Sequence, residues 1–304
     1  MLPPKNKAPR VEYAMPAQVY RDSEGMSHSE SKNLRKSPYH YHEIKHAPPQ
    51  LLKPPSAQMM LGTLTHAAVL EPAEFDRRYL VGPEVNKNSN VWKEFVAACQ
   101  DSGATPISQD QREQAFNMAS SVLRLADFQP LLQACATEVS MWWHCPTTGV
   151  LCKARPDLVK RYPPGIRVVD ADPAVAQLAY ERGFAMLADL KTTENANPRE
   201  FARSVAAFSY HTQASWYCEG AAHALGVPVL SMLFVVVERD FPYVAASYTL
   251  DDNAMRVAAD INQSARKLYL ECSVANEWPA YQSETTDIAL PSWYMKQYLA
   301  GDPI

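Results

Sequence analysis

The sequence predicts an α/β protein in which a central mixed sheet carries helices on both faces, preceded by a helical region. Three observations lead there. Residues 58–136 hold apolar positions at helical spacing behind polar caps. After residue 136 the character changes to short apolar, β-prone runs punctuated by turn residues. From that point, leaving aside the short run at 167–170 and the insertion at 172–183, the elements run β-β-β-α-β-β-α, an order that suits a sheet covered on both sides. The chain has 304 residues, 47% of them hydrophobic, enough to bury a substantial core.

Taken in order, residues 1–25 are polar and read as a flexible arm. Residues 26–304 read as one domain, with a helical part over 26–136, a sheet core over 137–275 and a tail over 276–304. Residues 27–41 form a capped helix ending near Ser37-Pro38, and the Pro-rich residues 47–55 are a turn or linker. Residues 58–70 are helical, burying Leu61, Leu64 and Ala68, until Pro72 ends or kinks the run. Amphipathic helices follow at 91–100 and 108–126, the second capped by Ser108, and a shorter one at 129–136. Strands at 137–145 and 151–159 flank Pro146-Thr147-Thr148-Gly149, a hairpin signal. A turn at 162–166, a strand at 167–170 and an inserted helix at 172–183 lead to a strand at 184–192. One long helix spans 197–225, with Pro198 in its first turn. Strands at 229–238 and 243–249 and a helix at 251–272 complete the core, and the tail packs on the domain with a frayed end.

Composition restricts the function classes. Lys and Arg number 29 against 33 Asp and Glu, a net charge of −4, so nucleic acid would have to be met by a local basic groove. No apolar run is long enough to span a membrane. The first residues lack the apolar stretch of a secretory signal. The six cysteines form no Cys-x-x-Cys pair, which points to reduced thiols in a cytoplasm, and with only Cys272 after Cys218 no iron–sulfur cluster is expected.

The chemistry centres on Ala188-Asp189-Leu190-Lys191-Thr192-Thr193. In a strand, residues i and i+2 share a face, so Asp189 and Lys191 look into one space while Leu190 turns to the core. A carboxylate that holds a divalent cation beside an amine that handles water is the minimum for metal-assisted phosphodiester hydrolysis. Four further features can converge there. His66 follows Gly62 by one helical turn and offers an imidazole to a metal. Asp157, in Arg155-Pro156-Asp157, ends an apolar strand as a second carboxylate. Glu138 can assist a metal or water across the hairpin. Gln213 and Tyr217, one turn apart, present an amide and a phenol to the same space.

In chain order, Gly62-x-x-x-His66, then Asp157, then Asp189-x-Lys191, then Gln213-x-x-x-Tyr217, the motifs resemble the RecB-like branch of the PD-(D/E)xK nuclease superfamily. More narrowly, Leu61-Gly-Thr-Leu-Thr-His66-Ala-Ala-Val-Leu-Glu-Pro72, Cys152-Lys153-Ala154-Arg155-Pro156-Asp157 and Asp189-Leu-Lys-Thr-Thr193 resemble the nuclease domain of exonuclease VIII, the RecE family. The resemblance covers roughly residues 25–275, with 172–183 as an insertion. It implies a restriction-endonuclease-like core and a 5′-to-3′ exodeoxyribonuclease that degrades linear duplex DNA to expose 3′ strands for recombination. Mg²⁺, with Mn²⁺ an alternative, would be held by His66, Asp157, Asp189 and the Leu190 carbonyl. Lys191 would orient or deprotonate the water, its pKa lowered by burial and a nearby cation. Glu138, Gln213 and Tyr217 would complete the catalytic set. Arg35, Lys36, Lys153, Arg155, Arg199 and Arg203 are candidate phosphate contacts. The implied partners are duplex ends, a RecT-like annealing protein and further copies of the chain in a ring. The alternatives are an endonuclease or an inactive DNA-binding protein on the same fold.

Overall fold

The computed structural model describes residues 9–51, 55–282 and 284–300. Residues 1–8 of the expected arm, 52–54 of the linker and 301–304, the expected frayed end, lie outside the described residues. Residues 10–25 are folded rather than flexible. β1 (Arg10–Glu12) pairs antiparallel with residues 140–142, and α1 (Ala17–Asp22) follows. The cause is long-range. The buried Lys153 ammonium draws in the carbonyls of Tyr20 (3.0 Å), Arg21 (2.9 Å) and Ser23 (2.6 Å), and Trp142 Nε1 donates to the Glu24 carbonyl at 3.1 Å.

Serines start the helices that follow. Ser27 and Glu30 form a reciprocal capping box at α2 (His28–Lys36). Ser37 ends α2 and caps α3 (Pro38–His46), which leads to a short 3-10 turn (Pro49–Leu51). Ser56 caps α4 (Ala57–Leu70), and Pro72 opens α5 (Pro72–Arg78). β2 (Tyr79–Val81) and β3 (Thr105–Ile107) pair in parallel around α6 (Asn90–Ser102). A second capping box, Ser108 with Gln111, starts α7 (Gln109–Leu123). Each such cap contributes about 1 kcal/mol. The helix expected over 129–136 is only α8 (Gln129–Leu132), because Ala136 and Thr137 are drawn into the sheet as β4 (Ala136–Thr137).

The hairpin forms as β5 (Ser140–His144) and β6 (Leu151–Ala154), which with β1 make a three-stranded sheet in the order β1-β5-β6. The single strand expected over 151–159 is broken at Pro156, which has no N–H to donate to a ladder. β6 stays in the hairpin sheet, while β7 (Leu158–Tyr162) enters a five-stranded sheet. No strand forms at 167–170, where Asp170 has φ 42°. Asp172 caps α9 (Pro173–Arg182), which delivers the chain to β8 (Phe184–Thr193). The expected long helix is two. α10 (Pro198–Phe208) and α11 (Tyr210–Leu225) meet at Ser209, whose left-handed φ of 61° breaks the helix. β9 (Val229–Glu238), β10 (Ala245–Tyr248) and α12 (Asp252–Ala275) complete the core. In the tail, Trp278 packs on Tyr41 and stacks on His42. α13 (Ser292–Ala300) buries no residue, so its expected packing on the domain is not found.

The five-stranded sheet has the order β10-β9-β8-β7-β4, with β8 and β9 parallel and the other pairs antiparallel. Strand alternation divides its residues between two cores. Ala188, Leu190, Val235 and Val237 pack under α4 and α7, and Leu187, Phe234 and Val236 pack under α10 and α11. A third cluster joins the hairpin to α2, α3 and α11 through Leu34, Trp143 and Trp216.

Candidate active site

Near its C-terminal end β8 carries Asp189 and Lys191 on the α11 side and Leu190 on the α4 side. Asp189 is 2% exposed. Its Oδ1 accepts from Gln213 Nε2 at 2.9 Å, and its Oδ2 lies against the Lys191 ammonium. The Lys191 Nζ also sits 4.7 Å from the centre of the Tyr210 ring. Burial pushes this ammonium towards a lower pKa, but Asp189 and Asp157 outweigh it and hold it above the usual lysine value. Burial acts in the direction expected from the sequence, and the two carboxylates act against it.

Asp157 stands at the strand switch after Pro156. Its Oδ2 accepts from the Leu190 N–H at 2.8 Å, across from β8, and lies 3.3 Å from His66 Nδ1 on α4. The other ring nitrogen, Nε2, donates to the Leu190 carbonyl at 2.8 Å. That carbonyl, expected to face a metal, is thus engaged by His66. A neutral ring with its proton on Nε2 leaves the Nδ1 lone pair facing a carboxylate oxygen. Two acceptors meet there, and a proton or a cation between them satisfies both. Burial, followed by the charge of Asp189, pushes the Asp157 carboxyl from 3.8 to about 7.

Glu138 adopts φ 52°, and its N–H donates to the Asp157 carbonyl at 3.0 Å. Its carboxylate accepts from Arg155 Nε at 2.6 Å, while Arg155 Nη1 reaches Ser140 Oγ at 3.2 Å. His66, Glu138 and Asp157 each offer a ligand atom within 4.8 Å of the others. An imidazole, two carboxylates and the facing lone pairs fit a divalent cation. Asp189 stands outside that trio. Tyr217, one turn beyond Gln213, has its hydroxyl pushed well above the usual range by burial and by Asp189.

The six candidate phosphate contacts divide. Lys153 is 2% exposed with its ammonium saturated by carbonyls, so it cannot reach a phosphate, and Arg155 is committed to Glu138. Arg35 is half-buried and donates to Thr212 Oγ1 at 3.3 Å. Arg203 pairs with Glu200 at the surface, and Lys36 and Arg199 are exposed. Sequence reasoning missed Tyr210 beside Lys191. It precedes Gln213 by three residues, but a helix assumed to run unbroken through residue 209 hid its position.

Residues 179–289 match a family described as a PDDEXK-like domain of unknown function (DUF3799), a span that holds Asp189, Lys191, Gln213 and Tyr217. No curated protein matches the chain. Among solved structures, a "Putative exonuclease" from Eubacterium rectale superposes with a TM-score of 0.56 at 12% identity, covering 91% of this chain and 97% of that one. The fold is that of the PD-(D/E)xK superfamily. SSO0001 (14% identity, 61% of this chain and 68% of that one, TM-score 0.27) and VC1899 from Vibrio cholerae (11%, 88% and 58%, TM-score 0.22) superpose too weakly to bear on the fold. Within the PD-(D/E)xK core, β7, β8 and β9 form the central strands and α11 lies over the acidic end. Among the described residues no helix is long and apolar enough to cross a membrane.

Proposed function

We propose that this protein is a metal-dependent nuclease that digests linear double-stranded DNA from 5′ to 3′, leaving 3′ single strands for recombination. The observation that supports it most is the convergence of Asp157, Asp189, Lys191 and His66 around the end of β8. His66, Asp157 and Glu138 would hold Mg²⁺ or Mn²⁺, with Asp189 adjoining. Bound there, the ion supplies positive charge to the attacking and leaving oxygens of a phosphodiester.

The chain's own groups do the rest. Gln213 fixes one oxygen of Asp189 and so sets the direction of the other. Lys191, beside both carboxylates, orients the water or a phosphate oxygen by donating a hydrogen bond. Arg155 holds the Glu138 carboxylate in place beside the site. Tyr217 supports Gln213 from the next turn of α11. Exposed Arg199 and Lys36 are the remaining candidates for phosphate contact. The reading extends to a homo-oligomeric ring around the duplex, a RecT-like single-strand annealing partner and a cytoplasmic location.

The test is digestion of linear duplex labelled at either 5′ or 3′ ends, with Mg²⁺ or with EDTA, beside closed circular DNA. The expected result is Mg²⁺-dependent release of 5′ label from linear DNA only, lost in Asp189→Ala. Cleavage of the circle reveals an endonuclease. Equal, metal-independent behaviour of wild type and Asp189→Ala rules out a nuclease.

A further inference from the structure

Beyond Lys191 the floor of the site opens into a cavity of about 530 Å³ whose walls include Met59, Gly62, Lys191, Phe208, Tyr210 and Arg239. This volume is in the range of small-molecule sites. Its apolar lining is exposed where packing would normally cover it: Phe208 is 53% exposed and Met59 63%. The rings are not isolated. Phe208 and Tyr210 lie 5.7 Å apart, Tyr210 and Phe201 6.1 Å, and Phe201 stacks on Tyr248 at 5.2 Å. An aromatic row thus runs from the core and ends on an open face at Phe208.

The row exists because the helix breaks. The left-handed Ser209 turns the chain so that Phe208, the last residue of α10, and Tyr210, the first of α11, line the same wall. A non-glycine residue in that conformation costs on the order of 1 kcal/mol, and such strain persists where the surroundings require it. The charges at the opening are mixed. Lys191 lies beside Asp189, Arg239 pairs at 2.7 Å with Glu194 of the same lining, and Lys32 Nζ stands 6.0 Å from the centre of the Phe208 ring. On the α4 wall, Gly62 contributes no side chain. A Cβ there would meet Thr192 Oγ1 at 3.5 Å, an ordinary contact, so the glycine keeps the cavity open instead of allowing a close approach of backbones.

Flat aromatic faces beside the Lys191 ammonium, with Lys32 over the outermost ring, suit a heterocyclic base joined to phosphates. We infer that the cavity is a nucleobase subsite that takes one unpaired base next to the scissile phosphate and stacks it on Phe208. The inference rests on the nuclease reading and deepens it by naming the substrate: a strand unpaired at the point of cleavage. A base still paired to its complement cannot enter a cavity of this size, so a duplex end must fray before it is cut.

The experiment uses the full chain in EDTA, so that binding is read without cleavage. Fluorescence anisotropy gives the Kd of single-stranded and duplex oligodeoxynucleotides, each carrying a natural base or an abasic residue at one of the three terminal positions of either strand. Wild type is expected to lose about 10- to 100-fold in affinity when one particular position is abasic. Phe208→Ala is expected to lose a similar factor on natural DNA and nothing more on the abasic strand. Gly62→Leu, which fills the cavity from the opposite wall, should do the same. Melting curves of both variants check the fold, and the abasic series on wild type stands without them. DNA binding that is indifferent to every abasic position, or equal in wild type and both variants, overturns the subsite and leaves the nuclease reading standing. No binding of any oligonucleotide by wild type at low salt overturns both.

Discussion

Metal affinity at the His66–Asp157 pair should depend on pH in a way set by the buried carboxyl. Asp157 is held at about 7 because burial and Asp189 both oppose its ionisation. A cation that binds its Oδ2 must displace that proton. With a pKa of 7, about a tenth of the carboxyl is ionised at pH 6 and about nine-tenths at pH 8, so apparent affinity should rise roughly 10-fold between them and level off above. Calorimetric titration of the metal-free protein with Mn²⁺, in buffers of different ionisation enthalpy, measures both the affinity and the protons released. Close to one proton should leave at pH 6 and few at pH 8.5. Asp157→Asn should remove the pH dependence together with most of the binding. The same shift has a consequence for stability. The folded metal-free chain binds this proton more tightly than the unfolded chain between 3.8 and about 7, so its stability from this group falls as pH rises through that window. Saturating Mn²⁺ should reverse the trend. A flat affinity from pH 6 to 8 with no proton release would refute the reasoning.

Three further outcomes are expected. Gln213→Ala frees one oxygen of Asp189 and should lower kcat or metal affinity by roughly 10- to 100-fold while KM for DNA stays near wild type, as steady-state kinetics would show. His28 is buried against Thr212 and held down to about 3 by burial, then by Arg35 and other nearby cations. The unfolded chain takes up this proton near 6.5 and the folded chain does not, so stability should fall as pH drops from 6.5 towards 3. Urea midpoints should show the fall, and His28→Gln should flatten it. Lys153→Met strands three carbonyls and should destabilise the fold by about 3 kcal/mol or more, with early proteolysis near residues 10–25 and an unchanged salt dependence of any DNA binding that survives.

Much of this architecture is legible because it is local. Ser27 with Glu30 and Ser108 with Gln111 announce helix starts within four residues, and the Pro146–Gly149 turn fixes the hairpin. The period of two that puts Asp189 and Lys191 on one side of β8 is equally local, and Gln213 reaches Asp189 because α11 lies across that side. What was illegible depends on partners distant in sequence. Lys153 looks like a surface charge until the carbonyls of residues 20–23 are found around it. Arg155 looks like a phosphate contact until Glu138 is seen beside it. Pro156 does not reveal that the strands on its two sides belong to different sheets. Ser209 carries no glycine signal, so the break that creates the Phe208–Tyr210 wall cannot be read from composition. The raised pKa of Lys191 is legible in part: Asp189, its larger cause, is two residues away, whereas Asp157 reaches it only through the fold.

β1 contributes only Arg10, Val11 and Glu12, yet it decides the status of its neighbour. In the order β1-β5-β6 the strand β5 is interior, and it carries Met141, Trp142 and Trp143, all buried. A chain begun at residue 26 would turn β5 into an open edge, with unpaired amides and carbonyls beside exposed tryptophan. Such an edge is a template for pairing with another molecule. The first strand therefore acts as a guard against self-association, and any assembly state measured on a shortened chain would reflect its loss as well as the native contacts.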